Sequence, residues 1–151
     1  MERFNEEVIA NLLRRGYEIE NYEGQIVLKL FMAEEYGERR KVFYRLLKDC
    51  EFHRHLLKTA IKHLKCKVPT ETAIKDPMFE EMFIKEKLNF LRRVEEISMD
   101  FYSFLLEDLK KQKLENLLGE KETEELIKIV EGLVKDEKAH LKLIEKMWKM
   151  E

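Results

Sequence analysis

Residues 126–148, LIKIVEGLVKDEKAHLKLIEKMW, decide the fold of this chain. Seven residues recur along this stretch at alternating steps of four and three, which places them on one face of an α-helix. The face is formed by Leu126, Val130, Leu133, Glu137, His140, Ile144 and Met147. Because burying a charged carboxylate without a partner is costly, Glu137 and His140 need a compensating group inside this apolar stripe. A metal ion is the simplest such group, so we predict that both residues are metal ligands.

The composition of the 151-residue chain favours a single all-helical domain. Charged residues make up 40% of it, and five Gly with two Pro leave little material for turns. The 29 basic and 31 acidic side chains nearly balance, so nucleic-acid binding is not expected. No apolar run is long enough to cross a bilayer and no signal peptide is recognisable, so we expect a cytoplasmic protein that does not bind a membrane.

Turn residues divide the domain (1–151) into four segments. These are a short N-terminal helix (1–16), a first helical hairpin (17–66), a connector (67–77) and a second helical hairpin (78–151). Gly16 is a natural stop for the first helix, and Gly37 and Gly119 are expected at the turns of the two hairpins. The connector holds both prolines, and Asp76 followed by Pro77 predicts the start of the next helix.

Polar residues interrupt the apolar stripes of the other predicted helices as well. Glu23 occupies an inward position in the first hairpin, where Glu20 competes with it, and Glu95 does so in the second. Cys50 and His53 interrupt the stripe of the helix after Gly37, again three residues apart. An inward position predicts that each of Glu23, Cys50, His53 and Glu95 is a candidate metal ligand beside Glu137 and His140.

An approximate internal repeat relates the two hairpins. The sequence LLKDCEFH at 46–53 aligns with LVKDEKAH at 133–140, so that His53 corresponds to His140 and Cys50 to Glu137. Each half thus begins with a helix that has an inward Glu and continues through a turn into a second helix. The second helix has an inward His, and another inward residue lies three positions before it. This repetition predicts that the two halves contribute equivalent parts of one site.

The second half carries a family resemblance. The stretches VEEISMDFYSFLLEDL, which contains Glu95, and VKDEKAHLKLI, which contains Glu137 and His140, resemble helices three and four of rubrerythrin-like di-iron proteins. These proteins belong to the ferritin-like superfamily, and the resemblance is to a form without a rubredoxin module. It implies a ferritin-like four-helix bundle with a crossover between helices two and three, to which the N-terminal segment adds an extra short helix.

The same resemblance implies a cofactor and an activity. It implies two irons per chain, bound by Glu23, His53, Glu95, Glu137 and His140. The implied chemistry is oxidation of Fe(II) by peroxide or dioxygen, with electrons from a redox partner protein. We also expect a homodimer, since family members often pair and the N-terminal helix has an apolar face to cover.

Cys50 departs from the family pattern, which has a glutamate at this place. A thiolate favours zinc or iron over the hard, oxygen-rich pattern. Glu51 points off the stripe and would need a rotated helix or a π-bulge to replace the missing carboxylate, and Asp49 is a weaker substitute. Three interpretations therefore stay open: a di-iron oxidoreductase, a mononuclear zinc site that uses Cys50, and a degenerate bundle that binds no catalytic metal.

Overall fold

A computed structural model describes residues 5–34, 37–70 and 83–150. Over these residues all regular structure is helical and no strand is present, which confirms the predicted all-α class. The helices are α1 (Glu6–Ala33), α2 (Glu38–His63), α3 (Ile84–Lys111), α4 (Glu115–Leu118) and α5 (Glu120–Lys149). None of these helices combines the length and the apolar character that crossing a membrane requires.

The predicted short N-terminal helix does not exist as a separate element. Helix α1 runs without a break from Glu6 through Gly16 to Ala33. Leu13 and Tyr17 are buried on either side of the glycine, and burying a large side chain stabilises by about 1.5–3 kcal/mol. This exceeds the roughly 1 kcal/mol that a helical glycine costs relative to alanine. Gly16 instead permits close packing, because a Cβ there would lie 3.1 Å from Cε1 of Tyr102.

The two predicted hairpin turns are confirmed. Gly37 separates α1 from α2 with a φ of 101°, and Gly119 precedes α5 with a φ of 85°. Both values lie in the region that favours glycine, because a side chain would clash with its own backbone there. The short helix α4, which the sequence did not predict, lies between α3 and Gly119.

The chain leaves α2 through a regular C-terminal cap. Lys65 adopts a φ of 57°, and the N–H of Cys66 donates to the carbonyl of Ile61 at 3.2 Å. This pairing is the Schellman arrangement, which satisfies carbonyls that the helix end leaves open. Helix α3 is described from Ile84, and the predicted helix start at Asp76 and Pro77 lies outside the described residues.

The long helices pack side by side around a shared core. Helix α1 contacts α2 and α3, and α5 contacts the same two helices. The core has two apolar parts. The Gly119 cluster contains Ile9, Leu13, Tyr17, Leu57, Ile61, Tyr102, Leu105, Leu109, Leu126, Val130 and Leu133. The Gly37 cluster contains Ile26, Val27, Leu30, Phe43, Leu46, Leu88, Leu91, Ile144 and Met147. Along every long helix the two clusters are separated by a stretch of buried polar residues.

Candidate metal centre

A polar layer lies between the two apolar clusters, and each long helix contributes to it. Its members are Glu20, Glu23, Cys50, His53, Glu95, Ser98, Glu137 and His140, all at most 1% exposed to solvent. Every residue that the sequence predicted as a metal ligand belongs to this layer. Burial of so many ionisable groups in one place is a feature that an ordinary helical core avoids.

Candidate ligand atoms converge within the layer. Among the described residues they form three sets, each with its ligand atoms within 4.8 Å of one another. The sets are Glu23, Glu95, Glu137 and His140; Glu20, His53 and Glu137; and Glu20, Glu23 and Cys50. Glu137 belongs to both sets that contain a histidine.

The carboxylate of Glu137 lies between the two histidines. Its Oε1 is 3.7 Å from Nδ1 of His53, and its Oε2 is 3.8 Å from Nδ1 of His140. The centroids of the two imidazole rings are 6.1 Å apart. One oxygen of Glu137 therefore faces each ring, which is the placement required of a carboxylate that spans two neighbouring metal ions.

Aspartates outside the layer orient the two histidines. Nε2 of His140 donates to Oδ2 of Asp49 on α2 at 2.8 Å, and Nε2 of His53 donates to Oδ2 of Asp136 on α5 at 2.8 Å. Because an ionised carboxylate only accepts, Nε2 of each ring carries a proton, and Nδ1 of each ring is turned toward the layer. A partner on the far nitrogen is the usual support of a histidine that binds metal.

Helix α1 contributes two acidic side chains to the layer. Oε1 of Glu20 is 3.3 Å from Nδ1 of His53, and it accepts a hydrogen bond of 2.8 Å from the hydroxyl of Tyr102. Glu23, one turn later, is grouped with Glu95 and His140 instead. Both carboxylates are fully buried, so α1 presents two of them where the sequence predicted one.

Buried atoms without a hydrogen-bond partner concentrate in this layer. In the described part of the chain, both oxygens of Glu23, Glu95 and Glu137 lack a partner, as do Oε2 of Glu20 and Nδ1 of His140. Leaving a buried polar group unsatisfied costs about 1–3 kcal/mol, and more when the group is charged. Divalent cations at this place would satisfy these atoms and offset the negative charge of the four carboxylates.

Burial and mutual repulsion shift the protonation of Glu137. Burial raises its pKa well above the usual value, and the neighbouring Glu95 and Glu20 raise it further. Burial also raises the pKa of the Cys50 thiol well above its usual value, as do the negative charges of Glu20 and Glu137. A ligand in this layer must therefore release a proton when a metal binds.

The histidine pKa values move upward although burial opposes the charged form. For His140, burial lowers the pKa, but hydrogen bonds to Asp49 and Glu95 outweigh burial and raise it to about 9. For His53, burial again acts downward, and Glu20 with Asp136 produces a net rise. These upward shifts favour the imidazolium form of both rings in the metal-free layer, and a metal ion would take over the role of this compensating positive charge.

Each hairpin places a glutamate of its first long helix beside the histidine of its second long helix. In the second hairpin Glu95 lies beside His140, with its Oε2 3.4 Å from Nδ1 of His140. His53 has Glu20 beside it, whereas Glu23 belongs to the His140 set. The sequence presented Glu20 only as a competitor of Glu23 for one inward position, whereas the structure buries both glutamates.

The neighbours of Cys50 do not supply a carboxylate ligand. Helix α2 is α-helical throughout, without a π-bulge, and Glu51 is exposed, 4.0 Å from Arg54. Asp49 accepts the hydrogen bond from His140. Its correspondence with Asp136 in the internal repeat was the sequence signal for this supporting role. Cys50 itself is buried beside the two α1 carboxylates.

Comparison with known proteins adds no further assignment. No protein-family model, no curated protein and no solved structure matches the chain.

Proposed function

We propose that this chain is a metal-binding, ferritin-like bundle of the rubrerythrin type, whose metal is iron and whose activity is oxidation of Fe(II) by peroxide or dioxygen. The position of Glu137 carries the proposal. A buried carboxylate with one oxygen toward each of two imidazoles suits a pair of metal ions.

The donor set favours iron over a structural zinc site. The layer offers four carboxylates and two imidazoles, a hard set that suits Fe(II) and Mn(II). Structural zinc sites instead use thiolates and imidazoles in a closed tetrahedral arrangement. When bound, two ferrous ions supply the two electrons that reduce one hydrogen peroxide, with two protons, to two molecules of water.

The residues of this chain have separate roles in the proposal. Glu23, Glu95 and Glu137, with Glu20, neutralise the cations and tolerate a change in their charge. The aspartates hold both histidine rings with Nδ1 toward the layer. The apolar clusters on either side exclude bulk water, which strengthens every electrostatic contact in the layer. Electrons for further cycles would come from a redox partner protein.

The course of the chain supports the ferritin-like part of the proposal. The end of α2, with Leu57 and Ile61, lies in the Gly119 cluster. The start of α3, with Leu88 and Leu91, lies in the Gly37 cluster. The end of α2 and the start of α3 thus lie in different apolar clusters, and this placement agrees with the crossover between helices two and three of ferritin-like folds.

Iron content and oxygen-dependent absorption test the proposed function. The protein is purified without chelators or affinity nickel, loaded with Fe(II) in air, and compared with the double variant Glu137→Ala, His140→Ala. The variant Glu51→Ala, His55→Ala is the matched control, because it removes the same residue types from exposed positions. Circular dichroism verifies that each variant is folded.

We expect about two irons per chain in the wild type and the control, with an oxo-bridged charge-transfer band and turnover of peroxide. The Glu137 and His140 double variant should lose all three. Equal iron content and peroxide turnover in the wild type and this variant would exclude the proposal. One zinc per chain would favour the mononuclear zinc site, and no bound metal would favour the degenerate bundle.

A further inference from the structure

Helix α2 supplies no carboxylate to the polar layer along its described length. Cys50 and His53 are its buried polar residues. Glu51 is exposed beside Arg54, and Asp49 is committed to Nε2 of His140. In the internal repeat, each hairpin contributes a glutamate from its first helix and a pair of residues three positions apart from its second helix. On α2 this pair is Cys50 and His53, so a dinuclear site of this kind would lack one carboxylate on the α2 side.

Helix α1 supplies the missing charge. Glu20 and Glu23 are fully buried one turn apart, and both face the layer. In the sets that contain a histidine they are divided: Glu20 joins the set of His53, and Glu23 joins the set of His140. The third set groups both glutamates with Cys50. Glu137 belongs to both of the sets that contain a histidine. His53 is the single residue that α2 contributes to those two sets.

We propose that the layer holds two metal ions in unequal positions, and that α1 supplies a carboxylate to each in place of the one that α2 lacks. The three-ligand position is formed by Glu20, His53 and Glu137. The four-ligand position is formed by Glu23, Glu95, Glu137 and His140. Cys50 belongs to neither position. This inference rests on the proposed function, because it requires that the layer bind metal.

The carboxylate oxygens that lack a hydrogen-bond partner agree with the division into a three-ligand and a four-ligand position. One oxygen of Glu20 accepts from Tyr102, which leaves Oε2 for a metal. Both oxygens of Glu23 are without a partner and fully buried, and so are both oxygens of Glu95. The four-ligand position therefore has more free donor atoms than the three-ligand position.

Cys50 acts as a small residue where two helices approach. A Cβ built on Gly24 would lie 3.6 Å from the Cβ of Cys50, so α1 and α2 are close at this level. A glutamate at position 50 would have to share the layer with Glu20 and Glu23. The short cysteine side chain leaves that volume to the α1 carboxylates.

The different numbers of ligands give the two metal positions different expected properties. The four-ligand position, with three carboxylates and an imidazole, binds its metal more tightly and fills first. A metal in the three-ligand position would have open coordination places, and a metal needs such places to accept an exogenous ligand.

Anaerobic titration with Co²⁺ tests this division, because cobalt reports both affinity and thiolate ligation by absorption. The variants are Glu20→Gln, Glu23→Gln and Cys50→Ala. Glu18→Gln is the matched control, since Glu18 is an exposed residue of the same helix. Bound cobalt per chain is measured beside the spectra, and circular dichroism verifies folding.

We expect about two Co²⁺ per wild-type chain in two resolved steps, without a thiolate-to-cobalt charge-transfer band. Glu20→Gln should remove the weaker step. Glu23→Gln should weaken the tighter step on the order of 100-fold, which is a loss at least as large as that for outer-shell partners. Cys50→Ala and Glu18→Gln should bind as the wild type does.

Several outcomes would overturn the inference while the proposed function stands. They are a single Co²⁺ per wild-type chain, a thiolate charge-transfer band that Cys50→Ala abolishes, or wild-type binding by both Glu20→Gln and Glu23→Gln. A wild type that binds neither Co²⁺ nor Fe²⁺ would overturn the proposed function together with the inference.

Discussion

Replacing Glu137 by glutamine should change stability in opposite directions in the metal-free and the metal-loaded protein. Glu137 is buried, its oxygens lack donors, and its pKa is raised well above the usual value by burial, Glu95 and Glu20. A glutamine of the same shape carries no charge, and its amide can donate to the unpartnered oxygens of Glu95. In the metal-free protein the substitution thus removes electrostatic repulsion from the layer. In the metal-loaded protein it removes a metal ligand.

The expected magnitude follows from the cost of the unsatisfied group. Relieving one unsatisfied buried group is worth about 1–3 kcal/mol. In a domain of this size about 1 kcal/mol corresponds to roughly 2–4 °C in melting temperature, so the metal-free variant should melt about 2–12 °C above the wild type. Metal at 100 times its dissociation constant should stabilise the wild type by about 2.7 kcal/mol. The variant should lose most of this gain.

The pH dependence of the metal-free difference has a defined sign. Because the folded pKa of Glu137 is raised, the stability that its protonation contributes is fully present below the unfolded value of 4.5. That contribution is lost as the pH rises through the folded pKa. The advantage of glutamine should therefore be small near pH 5 and larger near pH 8.

Differential scanning calorimetry in the presence of a chelator, and then with Fe(II) under nitrogen, measures both effects. Glu145→Gln is the matched control, because Glu145 is an exposed residue of the same helix. A metal-free Glu137→Gln protein that melts below the wild type at pH 8 would refute the electrostatic reasoning. A variant that gains as much from Fe(II) as the wild type would refute the ligand assignment.

Three further predictions follow from individual contacts. Asp49→Asn should weaken Zn²⁺ binding about 10–100-fold in isothermal titration, because His140 loses its charged acceptor; unchanged affinity would contradict this role of Asp49. Gly16→Ala should lower the melting temperature, since the new Cβ would lie 3.1 Å from the buried Tyr102 ring, whereas Gly132→Ala, with nothing within 4 Å, should raise stability by about 1 kcal/mol. Equal shifts for the two alanines would remove the packing explanation. The metal-free protein should lose stability between pH 6.5 and 9 in urea unfolding. His140 has a folded pKa of about 9, so its contribution is fully present below the unfolded pKa of 6.5 and is lost as the pH rises through about 9. A flat profile over that range would count against the Asp49 and Glu95 contacts.

Local periodicity determined much of the fold and part of the candidate site. The helical class, the turns at Gly37 and Gly119, and the inward positions of Glu95, Glu137 and His140 follow from the repeat of apolar residues along each helix. These features depend on residues three or four apart, whose relation is fixed by the geometry of one helix. A sequence therefore contains them without knowledge of any neighbour.

The tertiary structure alone decided the features that depend on two helices at once. Glu20 and Glu23 lie about 60° apart around α1, and both are buried because α1 packs against α2 and against α3. Gly16 looked like a helix end, but the Tyr102 ring on α3 gives it a packing role in the middle of α1. The exchange of aspartate and histidine partners between α2 and α5 likewise joins residues more than 80 positions apart. The sequence determined most of the side chains that point inward. The packing of four helices added Glu20 and decided which side chains meet, because a helix repeat carries no information about the distance to a neighbouring helix.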